Sequence, residues 1–348
     1  MPAYARMTTY IKHEQRRTHM IRFGVIGAGR IGKVHSATIA NNPKAKLAYI
    51  ADAVPAAAES LAAQYGAKVA TVDEIMKAKD VDAVLIGSPT GFHAEQIQAA
   101  SNNGKAIMCE KPVSLDVANI HEILKVVEKN KSTLMIGFNR RFDPNFAELE
   151  KRLRAGAVGA IEIVTVISRD PNPPPPSYVK GSGGLFRDMM IHDFDMVRFL
   201  MGEEFVVVQA LGSSLVDKGI GEAGDVDTAA VQMQTASGRI AVITNSRRAT
   251  YGYDQRMEVH GSKGMLTAAN VHNTTVQLHN GEGTQADPVQ NFFLERYFQA
   301  YTNELNTFIN AVETGDRNPK PSGFDGLQAG VLADAATLSW QTGKPVKV

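Results

Sequence analysis

Residues 23–32, FGVIGAGRIG, constrain the fold of this chain more than any other stretch. Residues 23–26 read as a short buried strand, and the residues after Gly32 read as a helix. Between them Gly27, Gly29 and Gly32 fit G-x-G-x-x-G. The first glycine makes the strand-to-helix turn, the second lets backbone approach a pyrophosphate, and the third lets helix and sheet pack closely. A glycine-rich βα turn without a ligand can carry the same letters, so the context decides. Residues 46–52, KLAYIAD, read as the next strand and end in Asp52, 20 residues beyond Gly32. A carboxylate at that distance bonds the adenine-ribose 2′-hydroxyl. It also repels a 2′-phosphate, and Ala53 supplies no cation, so the reading is NAD over NADP.

At 348 residues, two domains are the natural expectation. A hydrophobic content of 44% is enough for real cores, and a net charge of +1 gives no field that recruits nucleic acid or an anionic membrane. No basic stripe or aromatic platform suggests nucleic-acid binding. Cys109 is the single cysteine, which excludes an internal disulfide and suits a reducing, cytoplasmic setting. No apolar run is long enough to span a bilayer. Residues 1–20 are polar and basic, lack a secretory core, and read as a flexible arm.

Strands and helices alternate through residue 141, which specifies a doubly wound parallel sheet over 21–141. Residues 81–87 form a strand with Ser88 and Thr90 at its carboxyl end. Ligands of such sheets lie outside the carboxyl ends of strands. Ser88 and Thr90 therefore face the cofactor, or simply make the turn and cap the helix beginning at His93. Residues 105–109 form another buried strand that runs into Glu110-Lys111-Pro112. Two charges there fit either a site or a salt bridge to a neighbouring helix.

Beyond residue 141 the rhythm changes to an α+β unit over 142–322, with a large, open, mainly antiparallel sheet. An alanine-rich helix and tail follow over 323–348 and are expected to pack back on the first domain. Residues 170–176, DPNPPPP, form a stiff polyproline-like loop, either a spacer, a wall of the substrate cleft or a subunit contact. A helix from about 186 to 201 contains Asp188 and His192, at i and i+4. On a continuous helix they share one face. The pair reads as a carboxylate orienting an imidazole, as zinc ligands, or as a surface ion pair. No H-E-x-x-H or cysteine pair supports zinc.

Together, G-x-G-x-x-G, E-K-P and D-x-x-x-H resemble the glucose–fructose oxidoreductase/inositol dehydrogenase (Gfo/Idh/MocA) family over residues 21–348. Residues 183–196, GGLFRDMMIHDFDM, with GFNRRFD (137–143) and YGYD (251–254), are closer still to the bacterial inositol 2-dehydrogenases of that family. At Ser168-Arg169-Asp170 the chain departs from the His- or Asn-bearing turn of many relatives.

The resemblance implies NAD-dependent oxidation of myo-inositol to scyllo-inosose. His192 would be the base, oriented and made more basic by Asp188, and Lys111 would steady the substrate oxygen. Pro112 would follow a cis peptide, aiming the lysine. Cofactor contacts are expected from Gly27, Gly29, Arg30, Ile31, Gly32, Asp52, Ser88, Thr90, His93, Glu110 and Lys111. Substrate contacts are expected from Lys111, Asn139, Arg140, Asp188, His192, Asp195 and Tyr251, and no metal is. Arg140, with Arg141, reads equally as surface or inter-subunit salt-bridging, and Tyr251, with Tyr253, as sheet-edge packing. A homotetramer packed through the open sheets is the implied assembly. Dehydrogenases of other polyols or sugars, and a dinucleotide- or sugar-sensing regulator, remain the competing readings.

Overall fold

The computed structural model describes residues 20–348, so the arm expected over 1–20 lies outside it but for Met20. Six parallel strands form the first sheet: β1 (Ile21–Ile26), β2 (Ala45–Ala51), β3 (Lys68–Val69), β4 (Ala83–Ile86), β5 (Ala106–Glu110) and β6 (Leu134–Gly137). Their order is β3-β2-β1-β4-β5-β6. This is the order of a dinucleotide-binding sheet, with its crevice where the order reverses beside β1. Every residue of β4 and β6 is buried, as a sheet covered on both faces requires. The covering helices are α1 (Arg30–Ala40), α2 (Pro55–Tyr65), α3 (Val72–Lys77), α4 (His93–Asn102) and α5 (Val117–Lys129).

After α6 (Pro144–Arg154) comes the long strand β7 (Ile161–Arg169). The expected helix over 186–201 is in fact two, and a third precedes them: α7 (Pro176–Ser182), α8 (Gly184–Asp188) and α9 (Ile191–Met201). Then follow β8 (Phe205–Ser213), α10 (Lys218–Glu222), β9 (Thr228–Thr235), β10 (Ile240–Ser246), β11 (Asp254–Gly261) and β12 (Gly264–Ala268). A two-stranded ribbon, β13 (Gln277–Asn280) with β14 (Gly283–Ala286), leads to α11 (Phe293–Arg296) and α12 (Phe298–Thr314). The chain ends in α13 (Gly323–Thr342) and β15 (Val346–Lys347).

The second sheet has seven strands in the order β12-β11-β7-β10-β9-β8-β15. It is antiparallel except where β10 lies parallel to β7. Alternation sorts its faces. Val164, Val166, Val231, Met233, Ala241 and Ile243 are buried in the core, whereas Ile163, Leu211, Ile240 and Met265 on its strands are exposed.

Helix α13 packs on both sheets. A Cβ at Gly326 would meet Val113 at 2.7 Å, so glycine permits close approach to the first domain. On its other side, Ser339 Oγ accepts from the backbone N–H of Ala210 on β8 at 2.9 Å. Two arginines after β6 bind the halves further. Arg140 pairs with Asp193, and Arg141 with Asp195, all four buried. Breaking a buried pair by removing one partner costs about 3–5 kcal/mol. The acidic residues of α9 that exceed the needs of packing are thus the counter-ions of these arginines.

Candidate active site

The glycine turn has the shape that its sequence implies. Gly27 has φ +103°, and a Cβ there would lie 2.4 Å from the Gly87 carbonyl oxygen. A Cβ at Gly32 would lie 1.9 Å from the Gly27 oxygen, so α1 touches the turn. At Gly29 a Cβ would meet nothing within 4 Å. Gly29 is also the N-cap of α1 and supplies no capping side chain. Open space in front of uncapped N–H groups at a helix N-terminus is what a pyrophosphate needs. Arg30 is exposed beside it and Ile31 half-buried. The Asp52 carboxylate is set over the turn, accepting from Ala28 N at 2.6 Å and from Val54 N at 2.8 Å.

Past β4, Ser88 does not cap the next helix. Its hydroxyl donates to Gln96 Oε1 at 2.7 Å, and Thr90 opens a short 3₁₀ turn. His93 is buried and bridges two loops, with Nδ1 2.8 Å from Pro112 O and Nε2 2.8 Å from Ser88 O. Glu110 ends β5 facing inward, its Oε1 2.7 Å from His35 Nε2. The Lys111–Pro112 peptide is cis, as expected.

From that turn the Lys111 ammonium reaches the second half of the molecule. It donates to the Asp188 carbonyl oxygen at 2.6 Å and lies 3.3 Å from Asp188 Oδ1. Arg247, just past β10, donates to Asp188 Oδ2 at 3.3 Å. Burial alone would raise the Asp188 acid, but Lys111 and Arg247 overcome it and hold the carboxyl below its ordinary value.

The expected Asp188–His192 couple is not formed. Met189 and Met190 separate α8 from α9, so the two residues lose the i, i+4 registration of one continuous helix. Among the described residues no hydrogen bond joins them, and His192 Nδ1 is buried without a partner. The imidazole instead stands edge-on to Phe138, centroids 6.1 Å apart. Its basicity is lowered, not raised: burial, then the Lys111 and Arg140 charges, hold its pKa well below the ordinary value. His192 is therefore a neutral imidazole in the field of the lysine.

The remaining expected contacts divide. Asn139 and Arg140 are buried in the turn after β6. Arg140 is already engaged by Ser168 Oγ at 3.0 Å and by Asp193. Asp195 is not brought to the lysine; both its oxygens accept from Arg141, at 2.7 and 2.5 Å. Tyr251 is not either. Its hydroxyl donates to Asp254 at 2.6 Å and accepts from Arg169 at 2.8 Å. Tyr253, two residues on, is the buried phenol, and it lies in the field of Arg140, Asp170 and Asp193. Among the described residues no group of three or more His, Cys, Asp or Glu is arranged to hold a metal ion.

A glycine cradle after β1 and a lysine–carboxylate contact after β5 thus lie at the same carboxyl edge of the first sheet. Residues 21–138 match the model of the oxidoreductase family with an NAD-binding Rossmann fold, and 146–267 match the GFO/IDH/MocA C-terminal domain. The chain belongs to the Gfo/Idh/MocA oxidoreductase family. It is 53% identical to an inositol 2-dehydrogenase of Rhizobium meliloti over 92% of this chain and 96% of that protein. It superimposes on a myo-inositol dehydrogenase from Corynebacterium glutamicum with a TM-score of 0.90 and 44% identity, over 94% of this chain and 99% of that one. A scyllo-inositol dehydrogenase from Lactobacillus casei, solved with NAD(H) and scyllo-inositol, gives 0.88 and 33%, over 94% and 99%.

As a member of the Gfo/Idh/MocA family, the chain binds NAD in its first domain, and the cradle of Gly27, Gly29, Gly32 and Asp52 suits that cofactor. Two residues around this family's cleft carried too little signal to be singled out from sequence. Arg247 lies in an unremarkable Ser-Arg-Arg run, and only the fold brings it to Asp188. Asp170 was legible only as a departure in a turn. Burial, opposed by Arg247 with Nη1 3.6 Å away, pushes its carboxyl up to about 6.

Proposed function

We propose that this enzyme is an NAD-dependent inositol 2-dehydrogenase that oxidises myo-inositol to scyllo-inosose. The reading is supported by Lys111 at the carboxyl end of β5, which reaches across to Asp188 and whose charge acts on a neutral His192. Bound NAD supplies the hydride acceptor.

The chain's own residues then have defined tasks. His192 takes the hydroxyl proton at Nε2, since its Nδ1 is enclosed without a partner. Lys111 donates to the substrate oxygen as alkoxide character develops, which is where a fixed cation helps most. The same ammonium makes the His192 imidazolium short-lived, so the proton passes on to solvent. Asp188 holds Lys111 rather than His192. In this reading Asp170 receives a further hydroxyl of the ring, and Arg140, held by Ser168 and Asp193, backs that side of the site. Asp195 and Tyr251, with their polar atoms engaged, stand behind this layer.

The second sheet's outer face, with Ile163, Ile240 and Leu211 exposed, supports a homotetramer packed through it. Among the described residues no helix is long and apolar enough to cross a membrane. A cytoplasmic setting suits the one buried thiol, Cys109.

The test is initial rates of NADH formation with myo-inositol, scyllo-inositol, D-chiro-inositol and glucose. Myo-inositol is expected to give the highest kcat/KM, with scyllo-inosose as product. Absence of NADH with all four polyols would overturn the proposal.

A further inference from the structure

Three donors surround the Asp188 carboxylate, and only two of them carry charge. Lys111 and Arg247 are the cations. The third is Tyr178, whose hydroxyl donates to Asp188 Oδ1 at 3.2 Å. Lys111 lies 3.3 Å from that same oxygen. No sequence motif pointed to this tyrosine.

Its placement is built. Tyr178 rides on α7, which starts at the last proline of the 173–176 run. The Tyr178 N–H donates to Pro175 O at 2.9 Å. Pro176 abuts α10, where a Cβ at Gly219 would meet its ring at 2.9 Å. Val179 is buried and anchors the helix, while Tyr178 is half open to solvent. The stiff proline loop thus delivers a phenol to the site from outside. Arg30 of the glycine turn and Arg247 face the phenol along with Asp188. Burial and the Asp188 charge keep the hydroxyl protonated, so it acts as a donor.

We propose that Tyr178 is a positioning residue of this active site: it keeps Asp188 Oδ1 satisfied while the Lys111 ammonium turns to the substrate oxygen. This rests on the polyol dehydrogenase reading above. If Lys111 were the sole donor to Oδ1, its departure would leave half of a partly buried carboxylate uncompensated, which is costly. A neutral donor can stay in place through the cycle without changing the charge of the site. The proline run then has a task, which is to hold that donor at fixed reach.

The experiment compares wild type, Tyr178→Phe, Asp188→Asn and the double variant. Each is assayed as the full chain for kcat and KM with NAD and the best polyol of the panel. Melting temperature and NADH fluorescence titration are run alongside. Tyr178→Phe keeps the ring and is expected to lower kcat about tenfold, the usual worth of a hydrogen bond to a charged group. Its NADH affinity and melting temperature stay near wild type. In the Asp188→Asn background the same change has little further effect, since the two act as one unit.

Wild-type kcat in Tyr178→Phe overturns the proposal. So does an equal fall in both backgrounds, which would mark a role apart from Asp188. Should Asp188→Asn be too slow to measure, the single variant decides: a fall in kcat with KM held supports the proposal, and a rise in KM alone overturns it. A wild-type chain inactive on every polyol overturns the dehydrogenase reading itself and this proposal with it.

Discussion

Lys111 Nζ lies 2.6 Å from the backbone carbonyl oxygen of Asp188, so the end of β5 in one domain is fastened to the end of α8 in the other. The contact places a cation from the NAD-binding half against the helix pair that carries His192. It also means that Lys111 does not depend on the substrate for its position.

Replacing Lys111 by alanine should therefore remove chemistry without unfolding the protein. Asp188 would keep Arg247 and Tyr178 as partners, so no unpaired carboxylate is created. The expected loss in kcat is about 10²–10³-fold, the scale for removing a donor aimed at a developing oxyanion. Circular dichroism and melting temperature should stay close to wild type. A collapsed melting temperature would make the lysine a structural salt bridge instead.

His192 sets the pH dependence in an unusual direction. Burial, Lys111 and Arg140 all disfavour the imidazolium, so the neutral base persists well below pH 6.5. The acid limb of kcat/KM should not centre at or above that value. An acid limb near pH 6 would instead belong to Asp170, whose carboxyl is pushed up to about 6, and Asp170→Asn should remove it. A limb at 6.5 or higher that survives Asp170→Asn would contradict the lowered imidazole. His192→Ala is expected to cost about 10²–10⁴-fold in kcat with NAD affinity kept.

Asp52 is the residue expected to select NAD over NADP. Backbone N–H groups of Ala28 and Val54 pin its carboxylate over the glycine turn. Asp52→Ser should raise KM for NAD about ten- to hundredfold, by loss of a charged acceptor for the ribose hydroxyl. The NADP-to-NAD ratio of kcat/KM should rise with it. An unchanged ratio would show that the carboxylate serves only the turn.

Much of this architecture was legible before any coordinate. Buried strands such as 83–86 cannot be anything but interior, and the spacing from Gly32 to Asp52 has one common structural meaning. The helix at 323–342 was bounded by glycine at each end. What failed was continuity. Residues 186–201 look like one helix, yet α8 and α9 part at Met189–Met190, and α11 and α12 part at Tyr297 in the same way. Tertiary contacts impose those breaks, and periodicity is blind to them. The Asp188–His192 pairing fell with the first break. The buried pairs Arg140–Asp193 and Arg141–Asp195 were equally unreadable, because their members are about fifty residues apart and meet only in the fold. Tyr178 was hidden for another reason: the seven-residue helix beneath it begins on the last of four consecutive prolines, where the sequence reads as a stiff loop.

The last prediction concerns stability. Glu304 on α12 is fully buried, and neither carboxylate oxygen has a hydrogen-bond partner. Burial, and the nearby charge of Glu110, push its acid well above the ordinary value. Because the folded pKa exceeds the unfolded one, the unfolded chain releases this proton first. The group is therefore harmless below about pH 4, where both states are protonated, and increasingly destabilising as pH rises above the unfolded value. Glu304→Gln removes the ionisation and keeps the shape. Its melting temperature relative to wild type should be near zero difference at pH 4.5 and should climb steadily between pH 5 and 8. A difference that stays flat across that window, or falls, would mean that Glu304 is ionised and paired in the folded enzyme.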